Sequence, residues 1–395
     1  MLATIISTIT TVLTLAGLGY YILALWSARS FNRSVRAPLP PFAPPVSILK
    51  PVNGLDHEMY AAFASHCLQQ YPGEFEILFG VSSLDDPAVA AVAQLREEFP
   101  QHAIRLVECP QLLGTNGKVS NLVQMLPHAR YAHVLINDSD IRVSPRYLER
   151  VMACFAPGRS SRREVGMVTA PYRGRAHGAG GSKGTLGSKM EALGIATDFM
   201  AGVLTARLLE GGIRFGLGST LALSREALEA VGGLLPVVDH LADDYELGAR
   251  VAAAGFDVAL SGEVVETFVP AYSFRSFLKH QIRWSRSTRD SRKWGYAGLL
   301  FTFGLPWALL NLLASGLSLE SIALFVLALL GRTALALAVG VGVLGDGQVL
   351  RDLWLLLPRD VVALGLWIWS FAGDTVSWRG QRFALKDGKL NRIPV

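Results

Sequence analysis

Two aspartates set two residues apart, Asp138 and Asp140 in NDSDIRV, follow directly on the apolar run 131–137 (YAHVLIN). Residues i and i+2 of an extended segment point to the same side, so both carboxylates can face one divalent ion. Hard ions such as Mg²⁺ take carboxylate oxygens and keep coordination places for substrate phosphates. A D-x-D alone is weak, because turns are rich in Asp; its place after a hydrophobic strand gives it weight. Asp85 and Asp86 stand just beyond another apolar run, 75–82. Asp243-Asp244 in HLADDYELG admits two readings. It is a helix start, where Asp stabilises the first turn, or it supplies a general base. A carboxylate beside another has its proton affinity raised, as removal of a hydroxyl proton requires. A basic cluster comprises Arg275, Lys279, Arg283, Arg286, Arg289, Arg292 and Lys293, and the side chains at 279, 283, 286 and 293 share roughly one helical face. It reads either as a headgroup-binding helix beside a membrane or as a diphosphate contact through Arg283, with Trp284 as an apolar wall.

The segments that must position these groups alternate short apolar runs with helical patterns, the signature of a mainly parallel α/β sheet. Expected strands are 46–50 (VSILK), 75–82, 104–108, 131–137 and 165–170, with helices over 57–70, 87–98, 117–127 and 145–155. Ligands of open α/β sheets bind outside the carboxyl ends of the strands, where these acids stand. The glycine-rich stretch 174–187 lacks the order of a phosphate loop and reads as a surface loop.

Residues 2–26 carry no charge, long enough to cross a bilayer, with Tyr20, Tyr21 and Trp26 near the end as an aromatic belt. The run is too long for a signal peptide, lacks basic residues before it and is followed by no A-x-A site. Arg29, Arg33 and Arg36 follow at once, which places the following domain in the cytoplasm by the positive-inside rule. Cys67, Cys109 and Cys154, an odd number of thiols in 395 residues, read as reduced. The expected organisation is a transmembrane helix (1–28), a basic, proline-rich linker (29–45), a cytoplasmic α/β domain (46–294), membrane helices (295–375) and a basic tail (376–395). The apolar segments 296–317, 321–344 and 353–373 contain Arg332, Arg359 and Asp360, and such charges face protein or water. Two to three crossings are expected there. Three would put the tail outside, whereas Arg379, Arg382, Lys386, Lys389 and Arg392 favour a cytoplasmic end, and the sequence leaves the topology open.

Composition agrees. The chain is 51% hydrophobic and 17% charged, against about 25% charged in soluble domains, which excludes disorder. Its net charge of +5 suits an anionic bilayer surface; nucleic acid explains neither the acids nor the apolar ends.

These residues together resemble the membrane-bound ceramide glucosyltransferase family, inverting enzymes with a GT-A nucleotide-sugar fold. The resemblance covers about 46–290 and the flanking membrane regions. It rests on LDDPAV (Asp85, Asp86), NDSDIRV (Asp138, Asp140), LADDYELG (Asp244) and HQIRW. GTNGKVSNL (Lys118, Asn121) resembles the family's G-x-N-x-K-x-x-N-L, and WRGQRF in the tail resembles its W-R-x-G-R-Y. The chain departs from the pattern at His280, where the family has Gln or Arg before x-x-R-W; Gln281 is a candidate substitute.

The resemblance implies a UDP-sugar donor, either UDP-N-acetylglucosamine or UDP-glucose, and a membrane lipid as acceptor. It assigns Asp86, with Asp85, to the uridine region, Asp138 and Asp140 to Mg²⁺ or Mn²⁺ on the diphosphate, and Arg283 to the phosphates beside Trp284. It also implies that Lys118 and Asn121 touch the nucleotide sugar and that Asp244 is the base. Its bacterial branch includes hopanoid-biosynthesis glycosyltransferases, so a hopanoid polyol is the expected acceptor and ceramide the alternative, at the inner membrane. Two rival readings stand beside it. A processive polysaccharide synthase shares the D-x-D and R-W elements but needs a channel for its polymer. A non-catalytic membrane protein binding nucleotide or lipid should have lost carboxylates that are present here.

Overall fold

The computed structural model describes residues 1–55, 58–158, 163–176, 184–378 and 381–393. The glycine-rich residues 177–183, and Arg379 and Gly380 of WRGQRF, lie outside the described residues. The chain folds as two compact units, one of Val35–Lys183, Glu210–Pro270 and Lys386–Val395, the other of Met1–Ser34, Gly184–Leu209 and Ala271–Leu385. Residues 184–209 and 271–294, expected as part of a continuous 46–294 domain, thus pack with the terminal helices.

The first unit is α/β. Its chain order is β1 (Val46–Pro51), α1 (Met59–Cys67), β2 (Phe75–Val81), α2 (Ala88–Glu98), β3 (Ala103–Glu108), α3 (Gly117–Met125), β4 (His133–Ile136), α4 (Tyr147–Met152), β5 (Val165–Thr169), β6 (Tyr172–Arg175), β7 (Leu221–Ser224), α5 (Arg225–Ala230), α6 (Asp243–Ala253), β8 (Asp257–Leu260) and β9 (Val265–Phe268). Seven strands form one sheet in the order β3-β2-β1-β4-β7-β5-β8, and β6 pairs with β9 separately. Neighbours are parallel except β7, which runs antiparallel to β4 and β5. The inner parallel strands β1, β2, β4 and β5 are buried on both faces, hence their continuous apolar sequences. Ile48, Ile77 and Phe79 pack with Phe63 of α1, Val92 and Leu95 of α2, and Tyr147 and Leu148 of α4. The three cysteines are buried and form no disulfide among the described residues.

The second unit is helical. Helices Leu2–Ser34, Leu186–Leu209, Leu319–Val341 and Gln348–Ser370 are long and apolar enough to cross a membrane, and Lys293–Thr302 with Gly304–Ala314 forms a pair bent by 49°. Helices of sufficient length and apolarity stand where the N-terminal and C-terminal spans are expected, and the 186–209 helix is a further candidate the sequence reading did not contain. The charges within the apolar segments are matched inside the protein. Arg332 pairs with Asp360 at 2.7 Å and Arg359 with Asp198 at 2.8 Å. Arg332 also donates to the Thr197 carbonyl and hydroxyl. Charges within apolar segments are commonly partnered in this way. Gly17 and Gly304 let two helices meet at backbone distance, for a Cβ on Gly17 would lie 2.3 Å from the Gly304 Cα.

Candidate active site

The acids converge at the carboxyl end of the parallel strands. Asp138 follows β4 by two residues, and its loop is fixed from beneath. Asn137, fully buried, donates to the Tyr147 hydroxyl, the Ser219 carbonyl and the Thr220 hydroxyl, and its carbonyl oxygen faces His66 Nε2 at 3.2 Å. Burial, reinforced by Lys50, pushes His66 down to about 3, so the ring stays neutral. The Lys50 ammonium, at the end of β1 and fully buried, donates to the Asp138 carbonyl at 3.1 Å. Burial lowers its pKa to about 7, while Asp140 and Asp138 favour its charge. Asp140 accepts from the Thr267 hydroxyl at 2.5 Å and lines a shallow cleft with Arg142, Arg175 and Glu266.

Asp243 begins α6, so the helix-start reading of Asp243-Asp244 holds. Successive helical residues diverge, and the two carboxylates part company. Asp243 is buried; it takes the Asn116 amide at 3.3 Å and the Lys118 ammonium at 3.3 Å. Asn116 also caps α3 by accepting from the Val119 N–H, which ties the start of that helix to the start of α6. Asp244 points the other way, toward Gly218. A Cβ on Gly218 would lie 3.1 Å from Asp244 Oδ2 and 3.7 Å from Asp138 Oδ2. A side chain there would crowd the Asp244 carboxylate, while Asp138 would remain at ordinary contact distance. Burial, then the neighbouring Asp243, push the Asp244 carboxyl up to about 6, against the opposing pull of Lys118.

Lys118, in the first turn of α3, pairs with Asp138 Oδ1 at 2.8 Å as well as with Asp243. Burial works against its charge, but Asp138 and Asp243 more than offset this and hold its pKa above the usual lysine range. Four carboxylates therefore face two lysines in one small region. Lys50 and Gly218 are absent from the motif reading, and Asn116 stands in GTNGKVSNL with no role assigned to it. A cation ending an otherwise apolar strand was the available signal for Lys50; Gly218 needed the fold.

The remaining sequence candidates are placed as follows. Asp86 accepts from the Gly54 N–H, at 2.9 Å and 3.1 Å, and from the Ala88 N–H at 2.9 Å, starting α2 and pinning the turn after β1. Asp85 is exposed beside Ser83. Asn121 is buried and accepts from the Ser82 hydroxyl at 3.2 Å. Arg283, Trp284 and Gln281 lie on the basic helix Phe274–Ser291, in the helical unit. There His280 Nδ1 lies 2.9 Å from an oxygen of buried Glu191, and Gln281 donates to the same oxygen at 3.1 Å. The departure at His280 thus comes with a carboxylate partner, and the Gln281 amide is engaged by it. The Arg289 and Arg286 guanidiniums reach the Ser370 and Thr375 carbonyls, so part of the basic cluster binds the chain just after the last long helix.

Among the described residues no group of three or more His, Cys, Asp or Glu side chains is arranged as a metal cage. The donor set does fit a hard divalent ion bound jointly with phosphates, which needs only one or two carboxylates. Asp138 has a side chain 39% exposed, and its Oδ1 already accepts a cation.

The chain matches the glycosyl transferase family 21 model over residues 9–391. It is 28% identical over 248 residues to ceramide glucosyltransferase 3 of Caenorhabditis elegans, covering 61% of this chain and 50% of that one. It is 32% identical over 126 residues to the ceramide glucosyltransferase of Komagataella phaffii, covering 31% of this chain and 25% of that one. The matched stretch is about half the length of the first of these curated relatives. In fold it is similar to a mannosyltransferase from Pyrobaculum calidifontis, solved with GDP-Man and Mn²⁺, with a TM-score of 0.55 at 20% identity over 93% of this chain and 98% of that one. That likeness makes the sheet a GT-A-like one. Because the family match begins within the N-terminal helix and runs to residue 391, it takes in the carboxylate cluster and the apolar helices alike, and the chain belongs to glycosyl transferase family 21.

Proposed function

We propose that the protein is an inverting membrane glycosyltransferase that moves a sugar from a UDP-sugar, UDP-N-acetylglucosamine or UDP-glucose, to a hydroxyl of a membrane lipid. The observation that carries this reading is the approach of both Asp244 and Asp138 to Gly218, with the proton affinity of Asp244 raised. Asp244 takes the proton of the lipid hydroxyl as its oxygen bonds to the anomeric carbon. The bond from that carbon to the diphosphate oxygen breaks, and UDP leaves with the electron pair. Asp138, with Asp140, would hold Mg²⁺ or Mn²⁺, whose charge stabilises the departing diphosphate. Lys50 fixes the Asp138 loop, and Asp86 serves the uridine end by fixing the turn at Gly54. Arg283 as phosphate contact and Trp284 as apolar wall rest on the motif resemblance.

The acceptor we assign is a hopanoid polyol, on the resemblance of HQIRW and LADDY to the bacterial branch. Ceramide is the second reading, favoured by the names of the curated relatives. The arginines that follow the uncharged run 2–26 support an inner-membrane location with the α/β unit in the cytoplasm. The anomeric configuration of the glycolipid, read by proton NMR coupling, tests the mechanism. A single displacement turns an α-linked donor into a β-glycoside; an α-glycoside would remove Asp244 as the base of a direct displacement.

A further inference from the structure

The Lys118 ammonium bridges the carboxylate assigned to the metal and the acidic pair that holds the base. It stands 2.8 Å from Asp138 Oδ1 and 3.3 Å from Asp243 Oδ2. Its side chain is only 17% exposed, so water does little to screen it. It is carried on the first turn of α3, which Asn116 caps and ties to Asp243. The helix therefore fixes where the ammonium can reach. A divalent ion coming to Asp138 meets an oxygen already engaged by a cation, and two like charges on one carboxylate repel.

We propose that Lys118 is a resident counter-ion that excludes free metal from Asp138 and yields the carboxylate only when metal arrives together with a nucleotide diphosphate. The diphosphate supplies the negative charge that the ammonium loses on leaving Asp138. Lys118 then keeps Asp243 and faces phosphate oxygens, so one side chain couples donor binding to the release of the metal ligand. No bond is made or broken in the exchange. Lys118 is a positioning residue here, and the inference rests on the assignment of Asp138 as a metal ligand.

The test is Mn²⁺ binding to the full-length protein in detergent, read by electron paramagnetic resonance with and without UDP. The wild type is expected to bind Mn²⁺ weakly alone and more tightly with UDP. Lys118→Met should bind Mn²⁺ without nucleotide about tenfold more tightly or better, because a unit positive charge within ligand distance is gone. Lys118→Arg, which keeps the charge, should stay within a few-fold of wild type. Mn²⁺ should also raise the unfolding temperature of Lys118→Met more than that of the wild type, which reads out the same site if the variant is less stable. Nucleotide-free affinity of Lys118→Met no better than wild type, beside intact UDP-dependent binding in the wild type, overturns the role of Lys118 alone. Absence of Mn²⁺ binding in the wild type even with UDP removes the Asp138 assignment, and this inference with it.

Discussion

Asp244→Asn is expected to lose sugar transfer by about 10²–10⁴-fold, the range a positioned general base contributes, while UDP binding is retained. Asparagine fills the same space beside Gly218 and cannot accept the proton. The same substitution should stabilise the fold at neutral pH. The Asp244 carboxyl is held at about 6 by burial and by Asp243, above its unfolded value of about 3.9. A raised pKa means the folded state binds the proton more tightly than the unfolded chain. That contribution is fully present below pH about 4 and is lost as pH rises through about 6. The wild type therefore gives up stability at neutral pH that Asp244→Asn keeps, and thermal unfolding should show the gap open between these values and close below them. Turnover of the wild type should fall on the acid side with an apparent pKa near 6. An Asp244→Asn variant that retains turnover, or whose extra stability is equal at all pH values, contradicts the assignment.

The helix start and the base occupy adjacent positions, which shows what one sequence can and cannot convey. LADDYELG announces both a helix N-terminus and a reactive carboxylate. Only the helix geometry sends Asp243 to Lys118 and Asn116 and turns Asp244 toward Gly218. The strands are legible because burial on both faces leaves unbroken apolar runs; the expected 46–50, 75–82 and 165–170 correspond to Val46–Pro51, Phe75–Val81 and Val165–Thr169. Strand β7 escapes notice because Leu221–Ser224 is four residues long and its antiparallel place within the sheet is a tertiary fact. The Leu186–Leu209 helix escapes for another reason. Lys189, Glu191, Asp198 and Arg207 interrupt its hydropathy, and the pairing of Glu191 with His280 and of Asp198 with Arg359 becomes visible only when distant segments meet. Lys50 reads as the polar end of a strand, yet its ammonium is entirely enclosed beneath the D-x-D loop.

The second large effect concerns Asp138. Asp138→Ala should lose Mn²⁺-dependent UDP binding by at least about tenfold, or about 1.4 kcal/mol, while leaving UDP binding in chelator unchanged. The carboxylate is more exposed than that of Asp243 and already accepts Lys118, so its removal also frees that ammonium toward Asp243. Asp138→Asn separates the two consequences: it keeps the shape of the loop and the carbonyl that Lys50 binds, and removes only the charge. Metal-dependent UDP binding by calorimetry that is equal in wild type and both variants would place the metal elsewhere.

The central claim is sugar transfer to a membrane lipid, and the most direct measurement is product formation by the purified protein in detergent. UDP-glucose and UDP-N-acetylglucosamine are each offered with ceramide and with a bacteriohopanepolyol, in Mg²⁺, in Mn²⁺ and in chelator. The account predicts a glycolipid in one or more of these pairings, formed with divalent metal and lost with chelator. No glycolipid in any pairing, together with no binding of UDP in the presence of metal, contradicts it.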